Sequence, residues 1–132
     1  MFNKLLFTLP IALLTMATSF AEKVKADIPF EFSVGQKVLP AGTYTFDTDL
    51  NPGVLCVRSE DWKKSAMAIV INASDSNNRA DGSIVFHRYG ETYFLSQVLY
   101  SGGSGRQLNK SQREAQMLTR IPVKKEVLLA SK

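Results

Sequence analysis

The chain has 132 residues, 45% of them hydrophobic and 21% charged, with a formal net charge of +4. That size allows one domain and leaves no room for a second independent core, and the charge is ordinary for a soluble domain. Cys56 is the single cysteine, which excludes an internal disulfide.

In chain order, residues 1–21 predict an export signal. Lys4 supplies the basic start, residues 5–16 are apolar around Pro10, and Ser19 and Ala21 put small residues where a signal peptidase reads. The run is shorter than the roughly 20 apolar residues that cross a bilayer. The expectation is therefore a removed leader and no transmembrane anchor. The mature chain would begin at Glu22, with 111 residues and a charge of about +3 once Lys4 is gone. Its place would be the periplasm or the extracellular space. Cys56 lies within Val54-Leu55-Cys56-Val57 and reads as a small buried hydrophobe.

Val24, Ala26, Ile28, Phe30, Phe32 and Val34 are apolar at every second position, which predicts one strand over residues 24–34 with one face buried. Pro29 lacks an N–H and places that strand at a sheet edge or beside a bulge. Turn residues at Gly35 and at Pro40-Ala41-Gly42 precede a strand at 43–46, and Asn51-Pro52-Gly53 precedes one at 54–58. Residues 59–64 are polar and break the pattern. The apolar run 66–71 predicts a central strand, and residues 73–82 predict a solvated loop.

Residues 83–89 and 92–100 are β-rich and flank Gly90-Glu91, which suits a type II′ turn with positive φ at Gly90. A two-residue turn pairs Tyr89 with Thr92, Arg88 with Tyr93, His87 with Phe94 and Phe86 with Leu95. Residues 101–105 are Gly/Ser-rich and read as a linker; they fail the nucleophile-elbow pattern because Arg106 stands where its last glycine is required. Ser111 and Glu114 form a capping box that opens a helix over 112–120, stopped by Pro122. A poorly alternating last strand is possible over 123–130.

These elements predict an all-β fold, an antiparallel sandwich or small barrel of six to seven strands with one C-terminal helix. The divisions are a signal peptide at 1–21, a β-domain at 22–108, and a basic helix with the C-terminal segment at 109–132.

The densest group of chemically able residues is His87, Arg88, Tyr89, Glu91 and Tyr93, the candidate binding site. His87 is the only histidine, no zinc-like ligand spacing exists, and neither a metal nor a cofactor is expected. Successive strand residues face opposite ways, so His87 and Arg88 cannot line one pocket on a flat sheet. The structural alternative lays Arg88 against the Tyr93 ring. No complete catalytic set is present, so no catalytic residue is assigned.

Residues 22–105 carry eight Lys or Arg against ten Asp or Glu, whereas residues 106–132 carry seven against two. In that basic tail Arg106, Lys110, Arg113, Arg120, Lys124 and Lys125 are candidates for contact with an anionic surface, the alternative being a solvated face. The tail has no aromatic residues to stack on bases, which argues against nucleic acid.

Two segments carry a resemblance. Ile28-Pro29-Phe30-Glu31-Phe32-Ser33-Val34-Gly35 with Leu39-Pro40-Ala41-Gly42-Thr43-Tyr44, and later Phe86-His87-Arg88-Tyr89-Gly90 with Tyr93-Phe94-Leu95-Ser96, resemble a group of short exported bacterial proteins of uncharacterised function. The resemblance implies an envelope or secreted protein and supplies no activity. The Leu-Pro-Ala-Gly-Thr-Tyr element is also similar to turns in transthyretin-like and other β-sandwich modules, a likeness of fold alone.

The expected function is a non-catalytic exported β-domain, a binding or structural module of the cell envelope, with an envelope protein or anionic surface as partner and no set oligomeric state. One alternative is a carrier whose interior, lined by Phe30, Phe32, Tyr44, Phe46 and Phe94, holds an apolar ligand. Another is a small hydrolase using His87 with Glu91.

Overall fold

The computed structural model describes residues 23–74, 82–100 and 104–129. The leader expected at 1–21 and most of the loop expected at 73–82 lie outside the described residues. Within them the fold is all-β with one short helix: β1 (Lys23–Ile28), β2 (Phe32–Val34), β3 (Lys37–Leu39), β4 (Gly42–Asn51), β5 (Val54–Ser59), β6 (Ser65–Ser74), β7 (Ser83–Tyr89), β8 (Thr92–Leu99), β9 (Ser104–Leu108), α1 (Gln112–Leu118) and β10 (Lys124–Leu129).

The strands run in the order β1-β4-β5-β6-β9-β8-β2-β3, with β7 on the other edge of β8 and β10 beyond it. The sheet is open, so the barrel alternative is set aside. It is also mixed, because β2 pairs with β8 in parallel while the other pairs are antiparallel. β6 links the two halves: residues 65–69 pair with β5, and residues 70–74 pair with β9.

Among the described residues ten strands stand where six to seven were expected, for identifiable reasons. The eleven-residue alternation is two strands: β1 pairs with β4 at one end of the sheet, and β2 pairs with β3 and β8. The chain changes partners across Pro29, which has no N–H to offer a ladder. The expected linker at 101–105 is also corrected at its C-terminal end, where Ser104 and Gly105 open β9. A Cβ on Gly105 would lie 2.6 Å from Leu99 Cδ2 and 2.9 Å from the Val98 carbonyl oxygen. Glycine is there because β8 passes that close, not because the chain needs freedom.

The β7–β8 turn has the register that a two-residue turn imposes, with all four expected pairs in place. Gly90 sits at φ +65° and Glu91 is not in the positive region, the one-sided pattern of a type II′ turn.

One core is shared by both halves. Val24, Ala26, Ile28, Tyr44, Phe46, Leu55 and Val57 enter it from β1, β4 and β5, and Phe32, Ile84, Phe86, Leu95 and Val98 enter it from the other half. Phe32 meets Tyr44 and Phe86 edge to face, at 5.1 and 5.5 Å between centroids. That geometry adds about 0.5–1.5 kcal/mol per pair beyond area burial. The Tyr44 hydroxyl donates to the Pro40 carbonyl at 2.7 Å, so its polar tip is satisfied while its ring is buried. β6 is central in order but one-sided: Ala66 and Val70 are buried, while Met67, Ile69 and Ile71 face out.

Candidate functional site

The hairpin residues divide between the two faces of the β7–β8 ribbon. Phe86, Arg88, Tyr93 and Leu95 take the core side. There Tyr93 stacks on Phe30 at 3.6 Å, and Arg88 lies 5.6 Å from the Tyr93 ring centroid while bonding Glu126 and the Gly90 carbonyl. His87 and Tyr89 take the other side, beneath α1. Glu91 is exposed in the turn.

On the helix side the sequence reading missed two members of a buried polar cluster. Ser111 caps α1, its hydroxyl accepting from the Glu114 N–H at 3.1 Å. A full capping box would send the Glu114 side chain back to the N-cap. Here the carboxylate turns inward and is buried. Glu114 Oε2 accepts from the Tyr89 hydroxyl at 2.8 Å and lies 2.7 Å from His87 Nδ1. With a carboxylate oxygen as acceptor, Nδ1 carries the proton, and His87 Nε2 faces Ser96 Oγ at 3.2 Å. Ser96 is aimed there by a β-bulge: pairing passes from Phe86–Leu95 to Val85–Gln97, leaving Ser96 as the extra residue. Burial and the Glu114 carboxylate push the Tyr89 hydroxyl far above its ordinary pKa, so it remains a donor.

Ser96, His87 and Glu114 have the connectivity of a nucleophile, base and orienting acid. The surroundings differ from those of a reaction site. Ser96 is 7% exposed, and the same Glu114 oxygen also holds Tyr89. Arg113, next on the helix, donates to Ser33 Oγ at 2.9 Å and sits 5.4 Å from the Phe94 centroid. Together these contacts fasten α1 across β7, β8 and β2. Phe94 therefore lies under the helix and not among the rings expected to line a carrier interior, whereas Phe32, Tyr44 and Phe46 are core.

The basic tail residues are spread over several elements. Arg106 on β9 donates to the Pro52 and Gly105 carbonyls, and Arg113 points at Ser33. Lys110 and Arg120 flank α1 and are exposed. Lys124 and Lys125 are successive on β10 and face opposite ways.

A second site lies on the outer face of β1, β4 and β5. Lys23, Lys25, Thr45, Asp47, Arg58, Ser59, Glu60 and Trp62 line a concavity of about 220 Å³. At its base Asp47, with a side chain 0% exposed, accepts from Arg58 Nη2 at 2.7 Å and from the Asp49 N–H at 3.1 Å. Asp47 holds Arg58 in its charged form. Lys25 pairs with Glu60 at 2.7 Å and Lys23 with Asp49 at 3.5 Å.

Above the base, the β5–β6 loop holds Trp62 out to solvent, 73% exposed. The loop is tightly tied. Ser59 N–H donates to the Lys64 carbonyl, Trp62 N–H to the Ser59 carbonyl, Lys64 N–H to Ser59 Oγ, and the Asp61 carboxylate accepts from Ser59 Oγ and Lys63 N–H. These bonds hold Trp62 at φ +65°, the only non-glycine residue in the positive region among those described. A bulky side chain there is strained by about 1–3 kcal/mol. Arg58 lies 5.0 Å from the indole centroid, so the strained ring rests on the guanidinium that Asp47 positions. The available sequence signal was one tryptophan inside the charged stretch 59–64.

Among the described residues, no group of His, Cys, Asp and Glu is arranged to hold a metal ion, and no helix is long and apolar enough to cross a membrane. Comparison with protein-family models, with curated proteins and with solved structures finds no match to this chain.

Proposed function

We propose that the chain is a non-catalytic, exported binding module of the cell envelope, and that it takes its ligand in the concavity beneath Trp62. One observation carries this reading: an exposed indole is held in a strained backbone conformation by a tied loop, over an arginine fixed by a buried carboxylate. Strain of this kind persists where surrounding structure over-determines it, and such places cluster at ligand contacts. A rigid Trp gives much contact area for little loss of conformational entropy. Export is supported by the leader-like residues 1–21. The polar cluster under α1 supports the scaffold, since its groups are directed at one another.

The test has two parts. Cell fractionation with N-terminal sequencing should find the chain outside the cytoplasm, starting at Glu22. The purified mature chain should co-sediment with isolated envelope, and Trp62→Ala should release it. A cytosolic product with its leader intact, or equal sedimentation of the variant, refutes the proposal.

A further inference from the structure

Resting on that reading, we infer that the ligand is a carbohydrate, and that the concavity takes one neutral pyranose ring stacked on Trp62. Size sets the first limit. About 220 Å³ is below the roughly 300–1,000 Å³ of pockets for drug-sized ligands, so one ring fits and a nucleotide or large cofactor does not.

Lining chemistry sets the second. The walls present both donors and acceptors: Lys23, Lys25 and Arg58 donate, Glu60 accepts, and the Thr45 hydroxyl does both. Neighbouring sugar hydroxyls each donate and accept, and a mixed lining answers both needs. An anion would find each of these cations already facing a carboxylate, Lys25 with Glu60, Lys23 with Asp49 and Arg58 with Asp47. An apolar ligand would desolvate these ion pairs and offer no hydrogen bond in return.

The third limit is the indole. Arg58 lies 5.0 Å from the ring centroid, and with the residue 73% exposed the indole keeps apolar surface open to a ligand at the rim of the concavity. A flat, immobile apolar face beside a fixed fork of donors matches a pyranose, which has an apolar C–H face and a rim of hydroxyls. Glycine is the residue that φ +65° favours. Trp62 stands there against backbone preference, which points to its ring as the reason for the position.

Trp62 is the chain's one tryptophan, so its emission reports this site alone. The mature chain is titrated with tetramers of N-acetylglucosamine, cellotetraose and maltotetraose, with heparin as the anionic arm, and binding is measured in parallel by calorimetry. The expected result is a saturable emission change with at least one neutral tetramer, insensitive to added salt. Trp62→Gly, which relieves the backbone strain, should weaken calorimetric binding by roughly tenfold or more, while its thermal midpoint does not fall below that of the parent. No saturable response to any neutral tetramer overturns the inference. A response confined to heparin that salt abolishes also overturns it. Should envelope sedimentation still require Trp62 in either case, the binding-module reading stands and only the ligand class falls.

Discussion

Removing the Glu114 carboxylate should unfasten α1, and the structure gives the size of the effect. In Glu114→Ala the Tyr89 hydroxyl, buried and donating to Oε2 at 2.8 Å, loses its partner, as does His87 Nδ1 at 2.7 Å. A buried donor left unsatisfied costs about 1–3 kcal/mol, and a hydrogen bond to a charged group contributes about 1.5–3 kcal/mol. Relief from burying the carboxylate offsets part of this, leaving a loss on the order of 3 kcal/mol. For a domain of this size, that corresponds to a fall in melting midpoint of roughly 10–15 °C. Circular dichroism melts and urea unfolding measure it directly. Glu114→Gln keeps an acceptor and should lose less than half as much. Tyr89→Phe removes the donor together with its need, so the double variant Tyr89→Phe/Glu114→Ala should be less destabilised than the sum of the singles. A Glu114→Ala protein within about 0.5 kcal/mol of the parent, the range of an ordinary surface change, would refute this account of the cluster.

Alkaline lability follows from groups whose neutral form the fold prefers. Burial raises the Cys56 thiol above its ordinary 9.0 and the Tyr44 and Tyr89 hydroxyls above 10.0. Stability is then full below the unfolded-state values and falls as pH rises past them. Urea midpoints should decline from about pH 9 upward, with Cys56→Ala flattening the first part of the decline, and a rise above pH 9 would contradict the sign. Gly105→Ala should cost about 1–3 kcal/mol, because a backbone carbonyl at 2.9 Å cannot move aside as a side chain can. Gly42→Ala, with its nearest contact at 3.5 Å, is the control in the same urea series. Ser96 should form no adduct with a fluorophosphonate, and an adduct at that residue seen by mass spectrometry would make the Ser96–His87–Glu114 cluster a reaction site.

Local chemistry made parts of this molecule legible before the fold. The β7–β8 register follows from one glycine-containing turn, and the α1 start follows from Ser111, because both depend on residues within a few positions. What depends on distant partners was hidden. The alternation of residues 24–34 continues across Pro29 although the strands on either side pair with different neighbours, and periodicity reports which face is buried, not which strand covers it. Gly105 reads as linker composition until β8 is seen lying against it. Glu114 was identified by its place in the capping box, but its role depends on α1 crossing β7, a separation of 27 residues from His87. Trp62 went unremarked because one aromatic in a polar loop has no period. Its importance lies in a backbone angle that composition does not encode.

The two clusters also differ in where their residues come from, and that difference bears on function. From β1 to β4 and along the β7–β8 hairpin, Ile28, Phe32, Leu39, Tyr44, Phe86 and Leu95 fill the core, while His87, Tyr89, Phe94 and Ser96 seat the helix. Those segments are architectural. The concavity draws instead on the outward residues Lys23, Lys25, Thr45, Asp47 and Arg58 and on the loop that carries Trp62. Outward positions on β1, β4 and β5 can change without disturbing the inward ones, since alternate residues of a strand face opposite sides. The fold thus separates what holds it together from what it presents on its outer face and in one loop. By the same argument, the buried Asp47 is the point where the two meet. It is inaccessible like a core residue, yet its one charged partner, Arg58, supports the indole. A substitution at Asp47 should therefore disturb stability and binding together, whereas one at Trp62 should separate them.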